Sequence, residues 1–257
     1  MCTIAVAYRS HPEYPLVIAA NRDEFYDRPT APLGFWEDCP DILAGRDLKG
    51  GGTWMGVNRN GKIAALTNFR EPGGMNHNGM SRGFLVSDFL AKDMAAEVYL
   101  KGVAARKNDY GGFNLLAGTA GRLFWYSNRG GSITKLTPGI HGLSNHLLDT
   151  PWPKVETIRR RLADILQDSE RIDPEALFEM LADQRRPDDA ALPDTGVGKT
   201  WERMLSPVFI TSSVYGTRCS SVILVDNSGK LLFCERNFDA DAKGDTRCFE
   251  LQTDIPP

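Results

Sequence analysis

The sequence predicts an α+β fold in which helices pack outside antiparallel sheets, and three observations carry that expectation. Short β-prone runs come in pairs, Thr3–Tyr8 with Leu16–Ala20, Thr53–Val57 with Lys62–Asn68, Phe113–Gly118 with Leu123–Ser127, and Arg218–Asp226 with Leu231–Arg236. Helical stretches separate these hairpins, from Phe84 to about Arg106, at Lys154–Gln167 and at Pro174–Asp183. No internal repeat or linker interrupts the 257 residues, so one domain spanning 1–257 is expected.

Taken in order, the turn-like residues His11 to Pro15 join the first two strands. The second strand runs into Asn21-Arg22-Asp23-Glu24, four polar residues that need partners wherever they are buried. Residues 27–52 are rich in proline and glycine, carry Trp36, and read as a long loop. Asn58-Arg59-Asn60-Gly61 turns the second hairpin, and Glu71 to Gly83 is a further glycine-rich connection. Within the first helical region, Asp93 with Glu97 marks a second helix start. Ala120-Gly121 hinges the third hairpin, a short strand is expected near Ile133–Leu136, and His141 to Asn145 leads into a loop ending at Pro151-Trp152-Pro153. In the next helix Val155, Ile158, Leu162, Ile165 and Leu166 share one face, which leaves Arg159, Arg160 and Arg161 to solvent. Asp173 is placed to cap the following helix, with proline at its first position. Arg185–Lys199 reads as a mobile polar loop, and Pro207–Ser212 as a strand before the final hairpin turns at Asn227-Ser228-Gly229.

An apolar content of 42% and a charged content of 25% describe a soluble globular protein. A net charge of −3 gives no global field for nucleic acid or an anionic membrane. No stretch approaches the ~18 apolar residues of a membrane span, and Arg9 ends the first apolar run too early for a signal peptide. The five cysteines, Cys2, Cys39, Cys219, Cys234 and Cys248, form no C-x-x-C, which argues against a disulfide framework and a structural zinc site. The histidines, His11, His77, His141 and His146, lack metal-ligand spacing, so neither metal nor cofactor is expected. A reduced, cytoplasmic setting follows from this reading and suits a thiol.

Cys2 stands directly behind Met1 and opens the first strand. Methionine excision requires a small second residue, and its removal would leave a thiol and a free α-amine on one residue. Their reference pKa values, about 8.5 and 8, let the pair share a proton near neutrality, joining nucleophile and base. The competing reading is an ordinary buried cysteine on a strand.

Further motifs stand in order along the chain: Asn21–Glu24, Gly51-Gly52-Thr53-Trp54-Met55-Gly56, Ala64-Ala65-Leu66-Thr67-Asn68, Gly112-Phe113-Asn114-Leu115, Leu143-Ser144-Asn145 with Thr150-Pro151-Trp152, and Tyr215-Gly216-Thr217-Arg218. Together with Met1-Cys2 they resemble the NRDE family, named for Asn21–Glu24, which includes the transport and Golgi organisation proteins. More distantly the chain is similar to N-terminal-nucleophile hydrolases of the choloylglycine hydrolase and penicillin V acylase type, in the order Cys2, Arg22 and Asp23, Asn68, Asn145, Arg218. That resemblance implies a four-layer αββα sandwich. It also implies roles: Cys2 as nucleophile, Asp23 holding the amine, Asn145 and a main-chain donor near Asn68 as oxyanion hole, and Arg22 or Arg218 favouring the thiolate. Asn21, Arg22, Glu24, Trp54 and Arg70 are the candidate binding residues; Glu24 is alternatively a structural partner of Arg28 or Arg70, Trp54 a core or pocket wall, and Asn21 a turn residue. Arg22 and Asp23 are adjacent, and neighbours on an extended strand face opposite ways, so a bend or bulge is expected there.

Two functions remain open. One is an N-terminal-nucleophile hydrolase of a small amide or acylated substrate. The other is a carrier for haem or an acyl-CoA-type lipid, which needs the pocket but not a free Cys2 amine; no distinctive axial haem ligand is evident.

Overall fold

The computed structural model describes residues 2–72, 79–168, 171–239 and 244–253; Met1, whose removal the sequence predicts, and His77 lie outside them. The first sheet is antiparallel, in the order β10 (Gly139–Leu143), β1 (Cys2–Tyr8), β2 (Leu16–Phe25), β11 (Tyr215–Val225), β12 (Lys230–Asn237), β13 (Thr246–Gln252). The second runs β3 (Thr30–Phe35), β4 (Ile42–Asp47), β5 (Met55–Asn58), β6 (Ile63–Asn68), β7 (Phe113–Thr119), β8 (Arg122–Ser127), β9 (Ile133–Lys135). Five α-helices are described: α1 (Phe84–Ala91), α2 (Ala96–Ala105), α3 (Pro153–Asp168), α4 (Pro174–Leu181) and α5 (Lys199–Met204).

Three apolar layers show how these elements stack. Strand side chains alternate between faces, so Ile4, Val6 and Tyr8 of β1 and Ile18 of β2 enter the layer between the sheets, meeting Val57, Ile63 and Leu116. On the other face Ala5, Ala7, Val17 and Ala19 pack against Ile158 and Leu162 of α3 and Leu177 and Leu181 of α4. The second sheet turns Ala64, Leu66, Leu115 and Phe124 outward onto Leu85 and Phe89 of α1 and Leu100 and Val103 of α2. The result is a four-layer αββα sandwich. The Asp173 cap forms as expected, its Oδ1 accepting from the Glu175 amide at 2.9 Å. No described helix is long and apolar enough to cross a membrane.

Several local expectations are corrected. Residues 27–52 contain β3 and β4; β3 is the sheet's edge, where Pro32 can sit without breaking a ladder. Pro207–Ser212 is not a strand: its buried Val208, Phe209 and Ile210 supply the apolar signal, while the Phe209 and Ile210 amides bond to the Asp183 carbonyl and the Thr217 hydroxyl. The glycine-bearing stretch through His141 forms β10 against β1. Among the described residues α2 begins after Ala95, with no side-chain cap, so no capping box forms around Asp93 and Glu97. The cysteines do form one disulfide, Cys234–Cys248, because β12 and β13 set them directly opposite each other.

Candidate active site

β1 and β2 pair Cys2 directly with Arg22. Both sit on the face between the sheets, in phase with Ile4 and Val6 on β1 and with Ile18 and Ala20 on β2. The Arg22 guanidinium lies 4.2 Å over the Trp54 ring, and its Nη1 donates to the Thr30 hydroxyl at 3.2 Å. Trp54 reaches this position because residue 45 is glycine; a Cβ there would meet the indole at 2.5 Å.

Asn21 and Asp23 take the helix-facing side of the same strand. The Asn21 amide donates to the Leu181 and Val208 carbonyls at 2.8 and 2.9 Å and its oxygen accepts from Ser220 Oγ, so it ties the strand to the segments outside it. Asp23 Oδ1 accepts from the Thr217 hydroxyl at 2.8 Å. β2 stays extended through Phe25, and the expected irregularity falls on β11 instead. There Thr217 pairs with Asp23 and Cys219 with Arg22, leaving Arg218 as the extra residue of a bulge. Arg218 Nη1 donates to the carbonyls of Phe25, Tyr26 and Arg28, fastening the turn after β2.

A cavity of about 380 Å³ opens over Cys2, and Arg22, Asp23, Glu24, Trp54, Asn68 and Arg82 are among its walls. Asn145, Arg70, Arg218 and Asn21 do not line it. Asn145 stands behind Asn68, fully buried, its Nδ2 donating to the Asn68 carbonyl at 3.0 Å. The Arg70 amide in turn donates to the Asn145 carbonyl at 2.7 Å. The Asn68 side-chain amide has no hydrogen-bond partner among the described residues. Glu24 accepts from the Phe25 amide and lies 3.9 Å from Arg28, the partner expected of it. Arg70 pairs instead with Glu202 at 2.5 Å, both buried, beneath the Trp152 ring. A cavity of similar size, about 390 Å³, lies elsewhere, lined by Tyr14, Asp173, Lys230 and Glu250 without a cysteine.

Burial pushes the Cys2 thiol up, and the charges of Asp23 and Glu24 add to this; Arg22 opposes the rise without reversing it. Arg22 acts on the thiol in the expected direction, and burial outweighs it. Burial also raises Asp23, against the opposing Lys154 charge and the Thr217 hydroxyl. Lys154, in the first turn of α3, is 4% exposed and donates to the Leu205 carbonyl at 3.0 Å. Burial, then the Arg70 charge, lowers it to about 8, with Asp23 opposing.

Residues 1–240 match the family described as Transport and Golgi organisation 2. The chain belongs to this family. It is 37% identical over 273 residues to the human Transport and Golgi organization protein 2 homolog, covering 98% of this chain and 99% of the relative. It is 36% identical to the mouse homolog with the same coverage. The Drosophila melanogaster protein is 26% identical over 281 residues, covering 99% of both chains. Among solved structures, the fold is similar to a conjugated bile acid hydrolase from Clostridium perfringens, a C2A mutant, with TM-score 0.56 and 11% identity over 97% of this chain and 92% of that one. A Caenorhabditis elegans N-acylethanolamine-hydrolyzing acid amidase ortholog gives 0.50 and 12%, over 87% and 92%. These likenesses place this family member in the sandwich fold of N-terminal-nucleophile hydrolases.

Sequence reading of this family member missed Lys154 and Arg82, and named Thr217 only as part of the Tyr215–Arg218 motif. A cation in the first turn of α3 opposes the helix dipole, which is the signal that could have marked Lys154. Arg82 precedes an apolar helix and carries no such mark.

Proposed function

We propose that this protein is an N-terminal-nucleophile hydrolase acting through Cys2 on a small amide or acylated substrate. One observation carries the reading: the cavity that opens on Cys2 is also walled by Arg22, Asp23 and Asn68. With Met1 removed, the Cys2 α-amine takes the thiol proton as Sγ bonds to the acyl carbon. The oxyanion that forms is met by the unpartnered Asn68 side-chain amide, which Asn145 steadies through the Asn68 carbonyl. The C–N bond then breaks, and the leaving amine carries away the proton held on the α-ammonium. Water, deprotonated by the freed Cys2 α-amine, hydrolyses the thioester, and the proton returns to Sγ as the acid leaves. Asp23, fixed by Thr217, supplies the negative charge that holds the α-ammonium.

The test is a panel of N-acyl amides and acyl thioesters assayed with wild type and Cys2→Ala, with ligand binding measured on both. Cys2→Ala abolishes turnover and leaves affinity nearly unchanged, because it removes only bond-making chemistry. Turnover that survives the substitution overturns the mechanism, and binding without turnover across the panel points to a carrier.

A further inference from the structure

The cavity over Cys2 is cationic, within a chain whose net charge is −3. Four cations line it, Arg22, Arg28, Lys49 and Arg82, beside three carboxylates, Asp23, Glu24 and Asp47. The pairings leave the cations in excess. Arg28 binds Asp47 at 2.7 Å and approaches Glu24 at 3.9 Å. Asp23 lies in the field of Lys154, outside the cavity wall, and takes the Thr217 hydroxyl. Arg22, Lys49 and Arg82 form no ion pair with any described residue. Arg82 donates only to a neutral group, the Gly112 carbonyl at 3.0 Å, and Arg22 only to the Thr30 hydroxyl. Carboxylates act on both guanidinium groups at longer range, Glu24 and Glu71 on Arg82 and Asp47 and Glu235 on Arg22, but none is within ion-pair distance of either; a desolvated guanidinium so placed gains from a directly bound anionic ligand. Burial lowers Arg82, and the charges of Glu24 and Glu71 only partly offset it.

The segments that wall the cavity add a second property. Leu48, Met80 and Phe84 are exposed at 58%, 49% and 39%. Met80 is itself a wall residue, and Leu48 and Phe84 adjoin the wall residues Lys49 and Gly83 along the chain. Apolar surface thus sits beside a cationic interior.

We propose that the substrate is an anionic amphiphile: an acyl compound whose carboxylate or phosphate docks on Arg82, with Arg22 and Lys49 completing the positive wall, and whose chain lies toward Leu48, Met80 and Phe84. This rests on the hydrolase reading only for the fate of the acyl bond; the anion site stands on its own.

The test uses Cys2→Ala, which cannot turn over, titrated calorimetrically with N-octanoylglycine, octyl phosphate and N-octanoylethanolamide. The two anions bind at least ~10-fold more tightly than the neutral amide, as expected for a charge-assisted pair, and high salt narrows the gap. Adding Arg82→Gln removes most of the preference, and Arg82→Lys restores part of it. The order of the two anions tells carboxylate from phosphate. Equal or tighter binding of the ethanolamide, a preference that survives Arg82→Gln, or no binding of any probe overturns the proposal. If Arg82→Gln fails to fold, the Arg82→Lys protein and the salt series decide in its place. Turnover with Cys2 intact is a separate readout. Anion preference without turnover removes the hydrolase reading and keeps the site, and turnover of the ethanolamide alone does the reverse.

Discussion

Replacing Glu202 by alanine tests how far the polar layer behind the cavity depends on one buried charge. Arg70 and Glu202 meet at 2.5 Å with side chains 2% and 4% exposed. Nε and Nη2 of Arg70 have no other hydrogen-bond partner, so Glu202→Ala leaves a guanidinium buried and uncompensated. Breaking such a pair costs ~3–5 kcal/mol. Glu202 also accepts from the amide and hydroxyl of Thr195, at 3.0 and 2.6 Å, adding about 1 kcal/mol for these partly exposed bonds. A total of ~4–6 kcal/mol shifts the urea midpoint by at least ~1 M at ordinary denaturant slopes. The double variant Arg70→Met, Glu202→Leu recovers most of the loss, since apolar replacement of both partners removes the orphaned charge. On the proposed hydrolase reading, turnover falls with the single variant as well, because the Arg70 amide holds the Asn145 carbonyl and Asn145 holds Asn68. A stability within about 1 kcal/mol of wild type would show that the Arg70 guanidinium finds water, and would refute the argument from burial.

Two further outcomes follow from charge. Arg22 is the described side chain that lowers the Cys2 thiol against the effect of burial, so Arg22→Met slows iodoacetamide labelling of Cys2 at mildly alkaline pH; an unchanged rate counts against their pairing across β1 and β2. Asp149 Oδ2 bonds His141 Nδ1 at 2.8 Å and raises the histidine above its ordinary value of 6.5. A raised folded pKa stabilises fully below the unfolded value and loses that contribution as pH rises through the folded one. The urea midpoint therefore declines as pH rises above the ordinary histidine value of 6.5 in wild type, and Asp149→Asn flattens the slope; equal slopes in both proteins would contradict it.

The chain's alternation and punctuation determined much of this protein in advance. Inward and outward residues of β1 and β2, the amphipathic face of α3 and the Asp173 cap are local patterns, and local patterns are readable without neighbours. The motifs around Cys2, Asn21 to Glu24 and Asn68 lie on strands that meet at one cavity. Packing decided what each residue does there. Asn21 belongs to the helix side because it sits one residue out of phase with Arg22. Arg218 is a bulge residue spent on three carbonyls, a role that depends on the register of β11 against β2. Trp54 carries Arg22 because Gly45 on a neighbouring strand leaves room. The Arg70–Glu202 pair and the placement of Arg82 and Lys154 join residues far apart in the chain, while edge strand β3 and the Cys234–Cys248 bond, closer in sequence, depend on strand order and register. A charge declares its type in the sequence; its partner, its burial and hence its pKa exist only once the sheets have closed around it.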